Sequence, residues 1–252
     1  MYRFYIPPED CDWENKMAVI RGEEFKHFSR VLRLSLGAQI IVFDGCGRES
    51  QAEVVAIKEK QALVKLTKPS FFAGESKLEI WLGQSLVKGD KMNLIIQKST
   101  ELGFRGLIPL QTEHSVVKLS LDKEKKRREK WEKVALAAAK QCGRSVVPAI
   151  LPISTLQDFL NDLPVERHLL IPWEKGGIPL RQALEKINFS ETAFKKPLYF
   201  LIGPEGGWDS REVALVEKKG GIPVSLGSRI LRTETAGPIV LAVLMFAGRD
   251  WG

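Results

Sequence analysis

The sequence has few of the residues that mark a disulfide-bonded or metal-binding protein. Its 252 residues include only three cysteines, Cys11, Cys46 and Cys142, and three histidines. None of them has the spacing of a metal site. Because three cysteines cannot all pair, we expect reduced thiols, a cytoplasmic protein and no bound metal.

Long apolar segments are also lacking. A membrane-spanning helix needs roughly 18 or more consecutive apolar residues, whereas the best candidate, residues 236–247, is shorter and contains Pro238. The first five residues have no apolar core of a secretory signal. With 44% hydrophobic and 27% charged residues, we expect a folded protein with a substantial core and no membrane partner.

Negative charge is in deficit, and the imbalance is confined to one part of the chain. The sequence holds 38 Lys and Arg against 31 Asp and Glu, a net charge of +7. Residues 73–145 carry 15 basic and 9 acidic side chains, while the segments before and after are nearly balanced. This pattern predicts a surface that faces a polyanion, although a run such as residues 123–130 is equally typical of a solvated helix.

The spacing of apolar residues differs between the first 72 residues and the rest of the chain. Short strands around one helix at 23–34 predict a small β-barrel for residues 1–72. After a predicted linker at 68–77, apolar strands alternate with helices, which predicts a mostly parallel sheet covered on both faces. We therefore expect an α/β protein with domains at 1–72 and 73–252. The strands of the second domain are expected at 78–82, 106–110, 168–171, 198–202 and 222–225, and its last helix at 235–246.

A glycine-rich loop follows one of the predicted buried strands. The sequence Ile202-Gly203-Pro204-Glu205-Gly206-Gly207-Trp208 leads to Asp209 or Ser210, either of which can cap a helix. Open α/β sheets bind ligands at such strand ends. The spacing matches neither a dinucleotide fingerprint nor a P-loop, and a tight strand–helix turn is an equally good interpretation.

A second glycine-containing loop, residues 225–232, precedes the last helix. Thr233 or Thr235 can serve as its N-cap. Arginine in the first turn of a helix opposes the helix dipole, so Arg232 is expected either to face a ligand or to pair with Glu234. A capped helix start with surface charges is again the plain alternative.

These two loops resemble those of the bacterial 16S ribosomal RNA uridine-N3 methyltransferases, which are trefoil-knotted SPOUT enzymes with an N-terminal PUA-like domain. The similarity extends to residues 27–37, 97–103 and 138–144, and so covers nearly the whole chain. The resemblance implies a homodimer that binds S-adenosylmethionine in a knotted cleft and methylates N3 of one uridine in 16S ribosomal RNA or the small ribosomal subunit. It also implies a cofactor site formed by Ile171, Pro172, Ile202, Gly203, Pro204, Leu226, Gly227, Ile230, Leu231 and Thr233.

The chemistry suggests roles for two residues of the second loop. Methyl transfer must align two reactants and remove the weakly acidic N3 proton of uridine. Arg232 is our candidate for stabilising the developing negative charge, and Glu234 is a candidate base, or the residue that orients Arg232. We expect RNA contacts from Arg3, His27, Arg30, Arg33, Lys98 and Arg144.

Two other functions fit the same sequence. One is a non-catalytic RNA-binding factor in ribosome assembly, with a degenerate second domain. The other is a phosphate-binding α/β enzyme that uses residues 203–207, although the absence of a P-loop lysine argues against it.

Overall fold

The computed structural model describes residues 1–72, 74–115, 121–192 and 195–251. The chain divides into two units, one formed by Met1–Glu75 with Leu136–Val147, the other by Ser76–Ala135 with Pro148–Gly252. Among the described residues, no helix combines the length and the apolar content needed to cross a membrane. The three cysteines are free.

The first unit is built on a mixed six-stranded sheet. Its strands are β1 (Arg3–Tyr5), β2 (Cys11–Asp12), β3 (Met17–Ile20), β4 (Gln39–Phe43), β5 (Arg48–Lys58) and β6 (Gln61–Phe71), in the order β1-β4-β5-β6-β3-β2. Only the pairing of β1 with β4 is parallel. Helix α1 (Gly22–Lys26) continues into a π-helical turn at His27–Val31.

Alternation places one side of each strand of the first unit in a common core. Phe4, Ile20, Val42 and Val64 are fully buried, and Phe28 packs among them from the π-helical turn. Every second residue of a strand lines the same face of a sheet, because successive side chains point to opposite faces. Short strands around one short helix are found as expected, and the small β-barrel domain at residues 1–72 stays a prediction.

The second unit is a parallel sheet. Its strands are β7 (Ile80–Ser85), β8 (Gly106–Gln111), β9 (Ala149–Ile150), β10 (Ser154–Thr155), β11 (His168–Pro172), β12 (Ile178–Pro179), β13 (Leu198–Ile202) and β14 (Ile222–Ser225). Their order is β10-β8-β7-β13-β11-β14-β12, with β9 beside β8, and every pair is parallel.

Helices cover both faces of this sheet. They are α2 (Lys91–Glu101), α3 (Leu121–Cys142), α4 (Leu156–Asp162), α5 (Leu180–Lys186), α6 (Phe189–Thr192), α7 (Ser210–Lys218) and α8 (Thr233–Ala247). One face packs against α4 and α7 through Leu201 and Ile171. On the other face, α8 approaches Leu82 and Ile202 at Gly237. The predicted α/β class is confirmed, and the threading of a knot stays a prediction.

Three boundaries differ from the expectation. The predicted linker at 68–77 is wrong in its first part, because β6 continues to Phe71 and pairs with β5 from Arg48 to Gln51. The strand expected at 78–82 begins at Ile80 and extends to Ser85. The last helix begins two residues early, at Thr233. Residue 73 of the linker and residues 116–120 of the basic segment lie outside the described residues.

Candidate active site

A cavity of about 570 Å³ lies at the carboxyl ends of three adjacent strands of the second unit. Pro172 ends β11, Ile202 ends β13 and Ser225 ends β14, and all three line the cavity. The loop from Gly203 to Trp208 and the loop from Leu226 to Arg232 form its walls. This is the edge of a parallel sheet at which α/β proteins bind their ligands.

The first loop is held by its own tryptophan. Trp208 is 1% exposed, and a Cβ at Gly203 would lie 3.1 Å from the Trp208 Nε1 atom. Glycine at position 203 therefore lets the indole lie close against the backbone, whereas a Cβ would press on it. Asp209 caps α7 in a capping box with Glu212, and hydrogen bonds from Arg211 lower the pKa of Asp209 to about 2.

Thr233 joins the two loops. Its Oγ1 donates a hydrogen bond to the carbonyl oxygen of Gly203 at 2.8 Å and accepts one from Nε2 of the buried Gln84 at 2.9 Å. Because the hydroxyl serves these partners, it does not cap α8. Neither predicted threonine cap is correct, since Arg232 occupies the N-cap position without a side-chain hydrogen bond to the helix.

An ammonium group links carboxylates from two walls of the cavity. Lys91 Nζ lies 3.0 Å from Glu205 Oε1 and 3.6 Å from Glu234 Oε2. The hydrogen bond to Glu205 raises the pKa of Lys91. Partial burial raises the pKa of Glu205, but the hydrogen bond and charge of Lys91, with backbone donors, outweigh it and leave the pKa below its usual range.

The family models that match this chain and its similar relatives are all RNA methyltransferases. A model described as an RNA methyltransferase domain matches residues 74–245, and one described as an RNA methyltransferase PUA domain matches residues 20–67. The ribosomal RNA small subunit methyltransferase E of Bacillus subtilis is 33% identical over 227 residues, which cover 90% of this chain and 89% of that protein. This chain belongs to the ribosomal RNA small subunit methyltransferase E family.

Solved structures of related proteins are also similar to this chain in fold. The methyltransferase E of Neisseria gonorrhoeae, crystallised with S-adenosyl methionine, has a TM-score of 0.86 and 30% identity, with 98% of this chain and 97% of that chain covered. A Legionella pneumophila protein in complex with the cofactor SAM has a TM-score of 0.81 and 30% identity, with 98% of each chain covered.

Most of the expected cofactor residues of this methyltransferase E family member meet at the cavity. The nine that line it are Pro172, Ile202, Gly203, Pro204, Leu226, Gly227, Ile230, Leu231 and Thr233. Ile171 is not among the lining residues, because its side chain is fully buried in the core beneath the sheet. Arg232 and Glu234 both line the cavity. Among the described residues, Glu234 forms its ion pair with Lys91 and none with Arg232.

The cavity has the chemical features that an S-adenosylmethionine site requires. Its volume falls within the range of about 300–1,000 Å³ that is usual for small-molecule sites. The indole N–H groups of Trp173 and Trp208, both lining residues, have no hydrogen-bond partner within the described part of the chain. The described residues contain no cluster of metal-ligating side chains.

Several lining residues were absent from the predicted site. They are Lys91, Glu174, Glu205, Gly206, Gly207, Trp208, Ser225, Ser228, Arg229 and Ala236. Most belong to the two glycine-containing loops and follow from the motifs. Lys91 comes from a different helix. A lysine in the first turn of a helix opposes the helix dipole, and this unfavourable position was the available signal.

The residues expected to contact RNA have different surroundings. His27, Arg30 and Arg33 are exposed at or next to the π-helical turn of the first unit. Lys98 is exposed in the second unit and pairs with Glu101. Arg3 is mostly buried, pairs with Glu49 and donates to the carbonyl oxygen of Arg144.

Arg144 is an internal residue of the first unit. Its side chain is 8% exposed, and its Nη2 lies 2.9 Å from Glu75 Oε2. Glu75 also accepts hydrogen bonds from the backbone N–H groups of Ser145 and Val146. The Arg144 guanidinium is therefore engaged in a buried ion pair with Glu75, and its expected RNA contact stays a prediction.

Proposed function

We propose that this chain transfers a methyl group from S-adenosylmethionine to N3 of a uridine in 16S ribosomal RNA. The observation that supports this most directly is the meeting of Arg232 and Glu234 with the two glycine-containing loops around one cavity. Membership of the methyltransferase E family supports the substrate class. The small ribosomal subunit is the proposed partner, and the cytoplasm the proposed location.

The cofactor would be held chiefly by backbone groups and apolar side chains. Ile202, Leu226 and Leu231 offer apolar walls, while Gly203 and Gly227 expose backbone amide and carbonyl groups. When bound, S-adenosylmethionine supplies the methyl group and the sulfonium leaving group.

The residues at the start of α8 would act on the uracil ring. Loss of the N3 proton leaves negative charge on the ring carbonyl groups, and the exposed Arg232 guanidinium stabilises that charge. The N-terminus of the 15-residue helix α8 adds a positive electrostatic potential at the same place. Glu234 accepts the N3 proton, with Lys91 holding its carboxylate at 3.6 Å.

The remaining parts of the prediction concern RNA and assembly. We assign residues 1–72 as a PUA-like RNA-binding domain in which His27, Arg30 and Arg33 contact RNA. We further propose a homodimer, supported by the exposed apolar side chains Ile239, Val243 and Phe246 on one face of α8. Sedimentation measurements that find only monomers at micromolar concentrations would contradict the dimer.

The experiment that tests this function compares ribosomal RNA from cells with and without the gene. Mass spectrometry should show one N3-methyluridine in 16S ribosomal RNA that disappears on deletion and returns with the wild-type gene. Arg232→Ala should fail to restore it, with turnover reduced at least about a hundredfold and S-adenosylmethionine affinity largely kept. Arg105→Ala, which removes an exposed arginine of the second unit that does not line the cavity, is the matched control. RNA binding without any methylation would favour the assembly-factor alternative.

A further inference from the structure

We propose that one face of α3 binds the sugar–phosphate backbone of the acceptor RNA. The inference rests on the proposed function and assigns a surface to its substrate. This face, the basic stripe, consists of Lys123, Lys126, Arg127, Lys130 and Lys133.

The basic stripe follows from the helical period. Its positions are spaced by three and four residues, which places them on one side of a helix. The segment contains Glu124, Glu129 and Glu132, so along the chain it resembles a mixed charge run. Around the helix the charges separate, because none of these three acids falls on the stripe. Five cations therefore share one face that is about 15 Å long.

The neighbouring face of the same helix has a different composition. Lys125 and Arg128 lie there with Glu124, Glu129 and Glu132, beside Pro152 and Ile153. Arg128 pairs with Glu132 at 2.9 Å. Two cations and three carboxylates give this face a net charge of −1, whereas the basic stripe has a net charge of +5. Within the described residues, Lys130 is the one member of the stripe that forms a salt bridge.

The single ion pair of the stripe connects it to the cavity. Lys130 Nζ lies 3.1 Å from Asp90 Oδ1, and Asp90 is the N-cap residue of α2, directly before Lys91. Lys91 lines the cavity. Through Lys130, the basic stripe thus contacts the residue next to a lining residue of the site where the target base would react, and both lie in the second unit.

This position favours an RNA backbone over another polyanion. Lysine and arginine side chains bind phosphates without reading sequence and so orient a nucleic acid over a reaction site. Four of the five stripe residues, Lys123, Lys126, Lys130 and Lys133, are exposed. A strand that lies along them would deliver a flipped-out uridine to the cavity, where chemistry on a base requires it to leave the stack.

Two double variants with the same change in net charge test the assignment. Lys126→Gln with Lys133→Gln removes two charges from the stripe, and Lys125→Gln with Arg128→Gln removes two from the neighbouring face. Steady-state methylation of small ribosomal subunits from a deletion strain, and binding of 16S ribosomal RNA at several salt concentrations, are measured for each. S-adenosylmethionine affinity, measured by calorimetry, checks folding of the second unit.

The stripe variant should raise KM for the subunits several-fold with kcat and cofactor affinity unchanged. Its salt slope should fall by about 0.7–0.9 for each phosphate that is no longer bound, and the control variant should resemble wild type. Equal effects of the two variants, or no effect of either, would overturn the assignment, as would loss of binding to anionic vesicles with RNA binding intact. If the wild type binds RNA without methylating it, the difference in salt slope still supports the surface while the proposed function fails.

Discussion

The hydroxyl of Thr233 lies 2.8 Å from the carbonyl oxygen of Gly203 and donates a hydrogen bond to it. These residues are thirty positions apart in sequence, one at the start of α8 and the other directly after β13. The bond therefore ties together the two loops that form the cavity. Gln84, on β7, supplies the third element through its bond to the same hydroxyl.

Thr233→Val should lower the stability of the protein and weaken cofactor binding. The substitution keeps the shape of the side chain but leaves the Gly203 carbonyl without its side-chain donor and leaves Gln84 Nε2 with only its bond to the Ser85 carbonyl oxygen. Each lost partner costs about 1–3 kcal/mol. Urea unfolding and calorimetric titration with S-adenosylmethionine measure the two effects. Thr235→Val is the control, because Thr235 is exposed in the same helical turn. Equal stability of the two variants would contradict the role of Thr233.

Lys91→Met should raise the pKa of Glu205. The carboxylate then keeps its partial burial but loses the ammonium group that favours its ionised form. Because the pKa of Glu205 is lowered in the folded wild type, the stability that this residue contributes is present above its unfolded pKa and is lost as the pH falls through the folded value. The stability difference between wild type and variant should therefore be largest near pH 7 and shrink towards pH 3.

The Lys91 variant can be followed by NMR titration of the Glu205 carboxyl group and by thermal unfolding at each pH. We also expect a lower rate of methyl transfer, since Glu234 loses its nearest cation. Lys91→Arg should restore most of the rate. Lys88→Met removes an exposed charge three residues earlier and serves as the control. An unchanged Glu205 titration in Lys91→Met would show that the ion pair does not form in solution.

Glu75→Gln should destabilise the first unit by about 3–5 kcal/mol, because it leaves the Arg144 guanidinium buried without its counter-charge. The double variant Glu75→Gln with Arg144→Met removes both charges, keeps an oxygen acceptor for the backbone N–H groups of Ser145 and Val146, and should cost less than the single variant. Glu59→Gln, at an exposed turn, is the control. Urea denaturation followed by tryptophan fluorescence measures all three. A single variant as stable as the control would mean that the pair contributes little.

Local sequence patterns predicted the strands whose apolar composition has a single explanation, burial on both faces of the sheet. The strands at 168–171, 198–202 and 222–225 are apolar because the sheet is covered on both sides, and their bounds agree closely with β11, β13 and β14. The end of β6 could not be predicted, because Lys68 and Pro69 are typical of a loop. Only pairing with the long strand β5 keeps that segment extended.

Most of the candidate site could also be predicted from local sequence patterns. Glycine-containing loops after buried strands identify a ligand edge, and nine of the ten expected cofactor residues line the cavity. The role of Ile171 stays a prediction; its burial in the core could not be foreseen, because period alone does not say which side of a strand faces the cavity. The ion pair of Arg144 could not be foreseen either, because its partner, Glu75, is 69 positions away.

The amino-acid sequence by itself determined the α/β class, the two glycine-containing loops and the location of the positive charge. These follow from composition, period and spacing, which act over a few residues. Only the tertiary structure decided which charges meet: Lys91 with Glu205 and Glu234, Arg144 with Glu75, and Lys130 with Asp90. Such pairs depend on distances between residues remote in sequence, and those distances are set by the packing of the whole chain.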